Sequence, residues 1–152
     1  FNNFYPSLNK HNSSNYYVAN ANKKRNGNLN ATFIMRTAEM YLIAAEADIY
    51  ENGGSNALGY INTIRKRAGA NPLSGTPTIS MVLNERAREL CGEYTRFYDL
   101  KRTGMLKDAS YLKENHPDLA QFFKPEYGLR PISTNFTSTL EGGGNYYQNP
   151  GY

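Results

Sequence analysis

The stretch FIMRTAEMYLIAAEADIYENGG, residues 33–54, decides the fold. Strong helix formers fill it and no glycine or proline interrupts it before Gly53, so it predicts a helix from about Phe33 to Asn52. Gly53 and Gly54 supply the end of that helix, because glycine readily adopts the left-handed conformation found after a helix. Small side chains would let a neighbouring helix approach closely: Ala38, Ala44, Ala45 and Ala47.

A second helix is predicted directly after these glycines, with Ser55 as its N-cap and Gly69 at its end. Its apolar residues recur at helical spacing: Ala57, Ile61, Ile64 and Ala68. The short link makes the two helices antiparallel. The resulting hairpin, residues 37–68, is close in length to the ~34 residues of a tetratricopeptide repeat, although the sequence contains one clean copy only.

A third helix is predicted to follow the linker NPLSGTPTIS, residues 71–80, and to run to about Thr103. On a helical wheel one arc is apolar and is predicted to face the core: Leu83, Ala87, Leu90, Cys91, Tyr94, Phe97, Tyr98 and Met105. A weaker helical pattern covers residues 109–123. It is interrupted at His116 and Pro117, because proline cannot continue a helix but can start one.

The other side of the third helix is charged: Glu85, Arg86, Glu89, Glu93, Arg96, Asp99 and Arg102. One interpretation is a solvated face with weak ion pairs at three- and four-residue spacings. The other is a partly buried ionic network that sets the register against the helix of Arg36, Glu39 and Glu46, which the apolar Val82 and Leu100 within the charged side favour. Both interpretations stay open. Catalysis ranks below them, because each carboxylate has a nearby cation that lowers its pKa.

Composition argues against several classes of function. With 152 residues, of which 39% are apolar, the chain can make one modest core. The net charge is +4, but the basic residues mostly alternate with acids and the basic cluster at residues 22–25 is small, so we expect no nucleic-acid partner. No apolar run reaches the ~18 residues of a membrane helix.

The cysteine and the histidines give no sign of a metal site. Cys91 is the single cysteine, so it allows neither an internal disulfide nor a thiolate cluster, and we expect it to be a small buried hydrophobe. His11 and His116 are far apart and are predicted to be surface residues. We therefore expect neither a metal nor a cofactor.

Irregular arms flank the helical core. We interpret residues 1–152 as a single unit in which residues 33–123 are helical, residues 1–32 form an N-terminal arm and residues 124–152 form a C-terminal tail. The fold class is all-α, with tetratricopeptide-like hairpins and long irregular arms. Both arms are rich in aromatic residues, which disordered tails usually lack, so we expect them to lie against protein surface.

Five segments resemble, in order, the C-terminal part of the SusD/RagB family. They are MRTAEMYLIAAEA (residues 35–47), INTIRKRAGA (61–70), NERARELCGEYTRFYDLKRTGML (84–106), LRPIS (129–133) and QNPGY (148–152). The resemblance implies a mostly helical, non-enzymatic lipoprotein on the outer membrane of Bacteroidetes-type bacteria. Such proteins capture oligosaccharides, or less often other nutrients, and cover a TonB-dependent transporter of the SusC type.

The resemblance also implies that the matching segments are chiefly scaffold. Chains of the family are much longer, so we expect this chain to be the C-terminal part of a larger protein whose lipid anchor lies outside it. The hairpin alone supports a second hypothesis, a tetratricopeptide-like adaptor that binds a peptide in the groove between its helices.

Glycan contacts need aromatic platforms and planar amides. The chain has no tryptophan, and we predict Asn15, Tyr16 and Tyr17 as the ligand contacts. The alternative, which ranks above this prediction, is that these three side chains merely pack on the helices. Tyr146 and Tyr147, which precede QNPGY, are predicted to pack against the protein.

Overall fold

The computed structural model describes residue 10, residues 34–140 and residues 147–152, and all regular secondary structure within them is helical. This confirms the all-α fold class. The described residues form seven α-helices: α1 (Thr37–Asn52), α2 (Ala57–Arg67), α3 (Ile79–Glu89), α4 (Arg96–Arg102), α5 (Ala109–Asn115), α6 (Pro117–Ala120) and α7 (Thr134–Thr137). Short 3₁₀ helices lie at Met105–Lys107 and Pro125–Gly128. The chain divides into two compact units, Phe1–Tyr94 and Thr95–Tyr152. The treatment of residues 1–152 as one domain stays a prediction.

The first unit contains the predicted helical hairpin. Ala38 and Leu42 near the start of α1 cluster with Ile64 near the end of α2, while Ala45 clusters with Ala57 and Ile61. Contacts in this order require antiparallel helices, as predicted. Gly53 follows α1 with a φ of 64°, which confirms it as the glycine that ends the helix.

The helix boundaries differ from the prediction at both N-termini. The first helix begins at Thr37, because Arg36 before it is extended. The N-cap of α2 is Asn56, so the assignment of Ser55 was wrong. The Asn56 side chain makes no capping hydrogen bond. Instead, the Asn56 N–H donates to the carboxylate of Asp48, a residue of α1, at 2.7 Å. This bond, with further bonds from the Asn56 and Asn52 amides, holds the pKa of Asp48 below its usual value.

Gly54 is required by packing as well as by conformation. Its φ is 82°, and a Cβ built on it would lie 2.5 Å from Cγ of Pro77. A side chain at this position would displace the linker that leads to α3. The Gly53–Gly54 pair therefore both ends α1 and admits the linker beside the hairpin.

The third helix packs on the hairpin and begins before the predicted position. Thr78 caps it, its Oγ1 accepting a hydrogen bond from the Met81 N–H at 3.2 Å. Val82 is fully buried in the cluster of Ala45 and Ile61, and Leu90 lies in the cluster of Leu42. The hydrophobic core of the first unit therefore lies between α1, α2 and α3.

The prediction that the third helix continues to Thr103 was wrong. It ends at Glu89, and helix resumes only at Arg96. Gly92 and Tyr94 in between have φ of 81° and 60°, which a right-handed helix cannot contain. The interruption breaks the phase of the predicted wheel: Cys91 is exposed, and the side chains of Tyr94 and Tyr98 are 87% and 61% exposed rather than buried.

The second unit is built from shorter helices. Among its described residues, the buried hydrophobic side chains are Leu100, Leu106, Tyr111 and Leu112. The predicted interruption at His116 is confirmed, since α5 ends at Asn115 and Pro117 is the first residue of α6. None of the helices in the described ranges is long and apolar enough to span a bilayer.

Specific bonds hold together the two family-like segments of the described part of the C-terminal tail. The Gln148 side chain accepts from the Ile132 N–H at 2.7 Å and donates to the Ile132 carbonyl at 2.8 Å. Asn149 donates to the Arg130 carbonyl at 2.6 Å. The Arg130 guanidinium in turn lies 4.9 Å from the centre of the Phe97 ring. The segments LRPIS and QNPGY thus form one substructure.

Candidate functional site

Arg36 is the centre of an ionic network in the first unit. Its Nη1 lies 2.5 Å from Oε1 of Glu89, and its Nε lies 3.0 Å from Oε1 of Glu93. Its Nη2 donates to the Glu89 carbonyl at 2.6 Å. The extended backbone before α1 therefore places a guanidinium whose three nitrogens all point at the end of α3 and the residues after it.

Five further ion pairs belong to the network, three of them between helices of the first unit, one within α3 and one outside the helices. They are Arg86–Glu39 at 3.1 Å, Arg65–Glu85 at 2.7 Å, Arg88–Glu85 at 3.0 Å, Arg67–Glu89 at 2.6 Å and Lys10–Glu93 at 2.7 Å. The side chains of Glu85 and Glu93 are 6% exposed and that of Arg86 is 4% exposed. A solvated face would not bury its carboxylates, so the structure confirms the partly buried ionic network for Glu85, Arg86, Glu89 and Glu93. The remaining members of the predicted charged side, Arg96, Asp99 and Arg102, lie in α4 of the second unit.

The network shifts the pKa values of Glu93 and Arg36 in the directions that favour their charged forms. Burial alone would raise the pKa of Glu93, but hydrogen bonds from Lys10 and Arg36 outweigh it and the pKa is lowered. Burial alone would lower the pKa of Arg36, and bonds to Glu89 and Glu93 raise it instead. A carboxylate whose ionised form is favoured, as that of Glu93 is, accepts hydrogen bonds and is a poor proton donor, which suits a role in positioning helices.

A second polar cluster lies in the second unit. Arg96 Nη2 is 2.9 Å from the Tyr111 hydroxyl and 2.9 Å from Nε2 of His116. Because a guanidinium only donates, Nε2 of His116 accepts, and the proton of the neutral ring lies on Nδ1. Burial, and secondarily the charge of Arg96, lowers the pKa of His116. His116 is half-buried and hydrogen-bonded, so its assignment as a surface residue was wrong.

The described residues contain no group of three or more side chains that could hold a metal ion. His11 lies outside them. The predicted ligand contacts Asn15, Tyr16 and Tyr17 also lie outside the described residues, so their role stays a prediction.

An aromatic surface at the C-terminus was missed by the sequence reasoning. The Tyr127 and Tyr152 rings lie with their centroids 6.1 Å apart, and Phe123 packs edge-on against Tyr127 at 6.1 Å. Tyr127 and Tyr152 are 37% and 51% exposed. A pair of tyrosines with partly exposed rings can stack on the apolar face of a sugar while the hydroxyls stay hydrated.

The position of Tyr152 is fixed by the residue before it. Gly151 has a φ of 93°, and a Cβ on it would lie 2.8 Å from Cβ of Glu126. The signal for this site was the proline and glycine of QNPGY, which predict a tight turn before the last tyrosine. Tyr147 does not join the surface: it is 95% exposed, so its predicted packing was wrong. Tyr146 lies outside the described residues.

The matches to known proteins all point to one family. The model of the SusD family matches residues 1–152. The starch-binding protein SusD of Bacteroides thetaiotaomicron is 36% identical over 125 residues, which are 78% of this chain and 21% of that protein. A SusD-like protein of Formosa agariphila is 35% identical over 115 residues, 71% of this chain and 21% of that protein. The chain thus spans about a fifth of the length of these relatives. No solved structure matches the chain significantly.

Proposed function

The chain belongs to the SusD family, and on this premise we propose that it is part of a glycan-binding protein that captures oligosaccharides. The observation that carries the proposal is the 36% identity to a starch-binding protein over 78% of this chain. The ionic network and the hairpin serve as the scaffold of that protein. Binding, without chemical conversion of the glycan, is the activity we propose.

The proposal extends to the cellular setting that the family resemblance implies. The protein would be a surface-exposed lipoprotein of the outer membrane, attached through a lipid anchor outside this chain. It would deliver captured oligosaccharides to a SusC-like TonB-dependent transporter. Co-purification of the transporter with the native protein from detergent-solubilised outer membranes tests this part, and repeated recovery of the protein without a transporter would contradict it.

Two places on the chain are proposed as ligand contacts. Asn15, Tyr16 and Tyr17 combine an amide with two aromatic rings, which suits a sugar that offers both hydroxyls and an apolar face. Tyr127 and Tyr152 are the second place, which is supported by their exposure and by the 6.1 Å between their ring centroids. The two places are distinguishable because they are separated in sequence and can be changed independently.

Calorimetric titration of the chain with neutral oligosaccharides of several linkages, maltoheptaose among them, tests the proposal. The triple variant N15A/Y16A/Y17A and the double variant Y127A/Y152A are titrated in parallel. Loss of one stacking ring costs about 1 kcal/mol and each variant removes two rings, so the variant that carries the contacts should bind about thirtyfold more weakly. Absence of binding to every oligosaccharide would overturn the glycan-binding proposal for this chain.

A peptide-binding adaptor is the second candidate function. It is favoured by the exposed side of α1, where Met40 and Ile43 are 41% and 44% exposed and Tyr50 is 62% exposed, at spacings of one helical face. Apolar grooves of tetratricopeptide-like proteins bind peptides. Charged replacements at these positions, M40E and I43E, should abolish capture of a peptide partner and leave oligosaccharide binding unchanged.

A further inference from the structure

A cavity of about 380 Å³ in the first unit carries the inference. It is lined almost entirely by ionisable side chains: Lys10, Arg36, Arg67, Arg88, Glu89, Cys91 and Glu93. Its volume is within the ~300–1,000 Å³ range of small-ligand sites. Its lining differs from that of the aromatic surface, so it would recognise a different chemical feature of a ligand.

The charges around this cavity do not balance. Among the described residues that line it, four cations, Lys10, Arg36, Arg67 and Arg88, accompany two carboxylates, those of Glu89 and Glu93. Two positive charges therefore remain in excess within this lining. The two carboxylates are largely buried, and each already accepts bonds from two of these cations.

Two of the three arginines that line the cavity, Arg67 and Arg88, have exposed side chains. The third, Arg36, directs all three of its nitrogens to Glu89 and Glu93. Arg67 and Arg88 each make one ion pair, through Nη2 to Glu89 and through Nη1 to Glu85, and their side chains are 63% and 62% exposed. Both side chains line the cavity. Arginine donors suit oxyanions, since a guanidinium can bind two oxygens of one carboxylate or sulfate.

We propose that Arg67 and Arg88 bind an oxyanion group, a sulfate or a carboxylate, of an acidic polysaccharide in this cavity. The inference rests on the proposed glycan-binding function and names a charged ligand class for it. Lys10 and Arg36 supply the positive potential at the base of the site, while Glu89 and Glu93 hold the cations in place. The attraction is electrostatic and is expected to weaken as salt is raised.

Binding is measured with three probes: dextran sulfate, polygalacturonate and uncharged dextran. The chain should bind at least one of the acidic polysaccharides. The double variant R67Q/R88Q should bind it about tenfold more weakly or worse. The control variant K113Q/K124Q removes the same charge from exposed lysines of the second unit and should bind as the unchanged chain does. Equal losses in the two variants would mean nonspecific attraction to a basic protein and would overturn the proposal.

Cys91 provides a second readout inside the cavity. It is the single cysteine of the chain and is exposed, so its alkylation by iodoacetamide can be followed by mass spectrometry. A bound acidic polysaccharide should slow this alkylation several-fold, and uncharged dextran should not. Unchanged alkylation at saturating dextran sulfate and polygalacturonate would overturn the assignment of the cavity.

Inorganic sulfate separates a free ion from a polysaccharide group. If sodium sulfate alone protects Cys91 as effectively as dextran sulfate at equal sulfate concentration, the site binds a free anion and the polysaccharide proposal fails. The test is also separable from that of the proposed function. If the chain binds neutral oligosaccharides but no acidic polysaccharide, only the cavity proposal fails. If it binds no neutral oligosaccharide but binds an acidic one through Arg67 and Arg88, the proposal of neutral-glycan binding fails and the cavity proposal stands.

Discussion

At the scale of single residues, Arg36 shows how a charged side chain can fix the register of helices. It lies before α1, yet its partners Glu89 and Glu93 lie at the end of α3 and beyond it. Apolar contacts between helices are non-directional and tolerate sliding, whereas a guanidinium bonded to two carboxylates has few acceptable positions. The ion pairs therefore specify which turn of α3 faces the start of α1.

Replacement of Glu93 by glutamine tests this role. The amide keeps the shape of the side chain but leaves Lys10 and Arg36 with one charged partner fewer, and Arg36 is largely buried. We expect a loss of about 2 kcal/mol in the free energy of unfolding, measured by urea denaturation at neutral pH. Glu51 is exposed at the end of α1, so E51Q should change stability by less than about 0.5 kcal/mol and serves as the control.

The contribution of Glu93 to stability is also expected to depend on pH. The folded-state pKa of Glu93 is lowered, so the stability that it contributes is fully present above the unfolded-state pKa of ~4.3 and is lost as the pH falls through the folded-state pKa. The difference in unfolding free energy between the unchanged chain and E93Q should therefore be constant from pH 7 to about pH 5 and shrink below that. A difference that grew on acidification would contradict the assignment.

At the scale of elements, the residue pattern predicted the hairpin of α1 and α2 but did not predict that the third helix ends at Glu89. The hairpin of α1 and α2 carries strong formers, apolar spacing and terminal glycines, which all indicate the same structure. In the third helix, Gly92 alone signalled an end, and one glycine within a helical pattern is tolerated at a cost of ~1 kcal/mol. The deciding feature was Tyr94 with a φ of 60°, which residue type does not indicate.

Tyr94 and Tyr98 form a matched pair for a test of that interruption. Both side chains are largely exposed, but Tyr94 has a positive φ and Tyr98 lies within α4. Glycine removes the steric cost of a positive φ and adds conformational cost within a helix. We expect Y94G to raise the unfolding free energy by about 1 kcal/mol and Y98G to lower it by about 1 kcal/mol, as measured by thermal and urea unfolding. Destabilisation by both variants would show that the break is not where the structure places it.

At the scale of the whole molecule, family and fold class could be predicted from sequence, while the candidate sites could not. Helices are specified by local residue pattern, and the five segments in family order are themselves a linear property. The Tyr127–Tyr152 pair and the cation-lined cavity join residues far apart in the chain, and a single sequence does not reveal which distant side chains meet. The charged side of the predicted third helix came closest, because the apolar Val82 within it, which the structure buries, contradicted a solvated face.

The two compact units differ in the length of their helices, which leads to a prediction about their stability. Helices α1 to α3 have 16, 11 and 11 residues, whereas α4 to α7 have 7, 7, 4 and 4. Short helices depend almost wholly on tertiary packing. Native-state hydrogen exchange should therefore show slower exchange for the amides of α1–α3 than for those of α4–α7.

Paired core truncations test whether the units open separately. Ile61 is fully buried in the first unit and Leu106 is buried in the second, so I61A and L106A should each cost about 3 kcal/mol where they act. L106A should accelerate exchange across α4–α7 and leave α1–α3 unchanged, and I61A should accelerate exchange of α1–α3. If L106A accelerated exchange equally in all seven helices, the chain would unfold as one cooperative block, because a local loss of packing reaches distant amides only when the two regions open together.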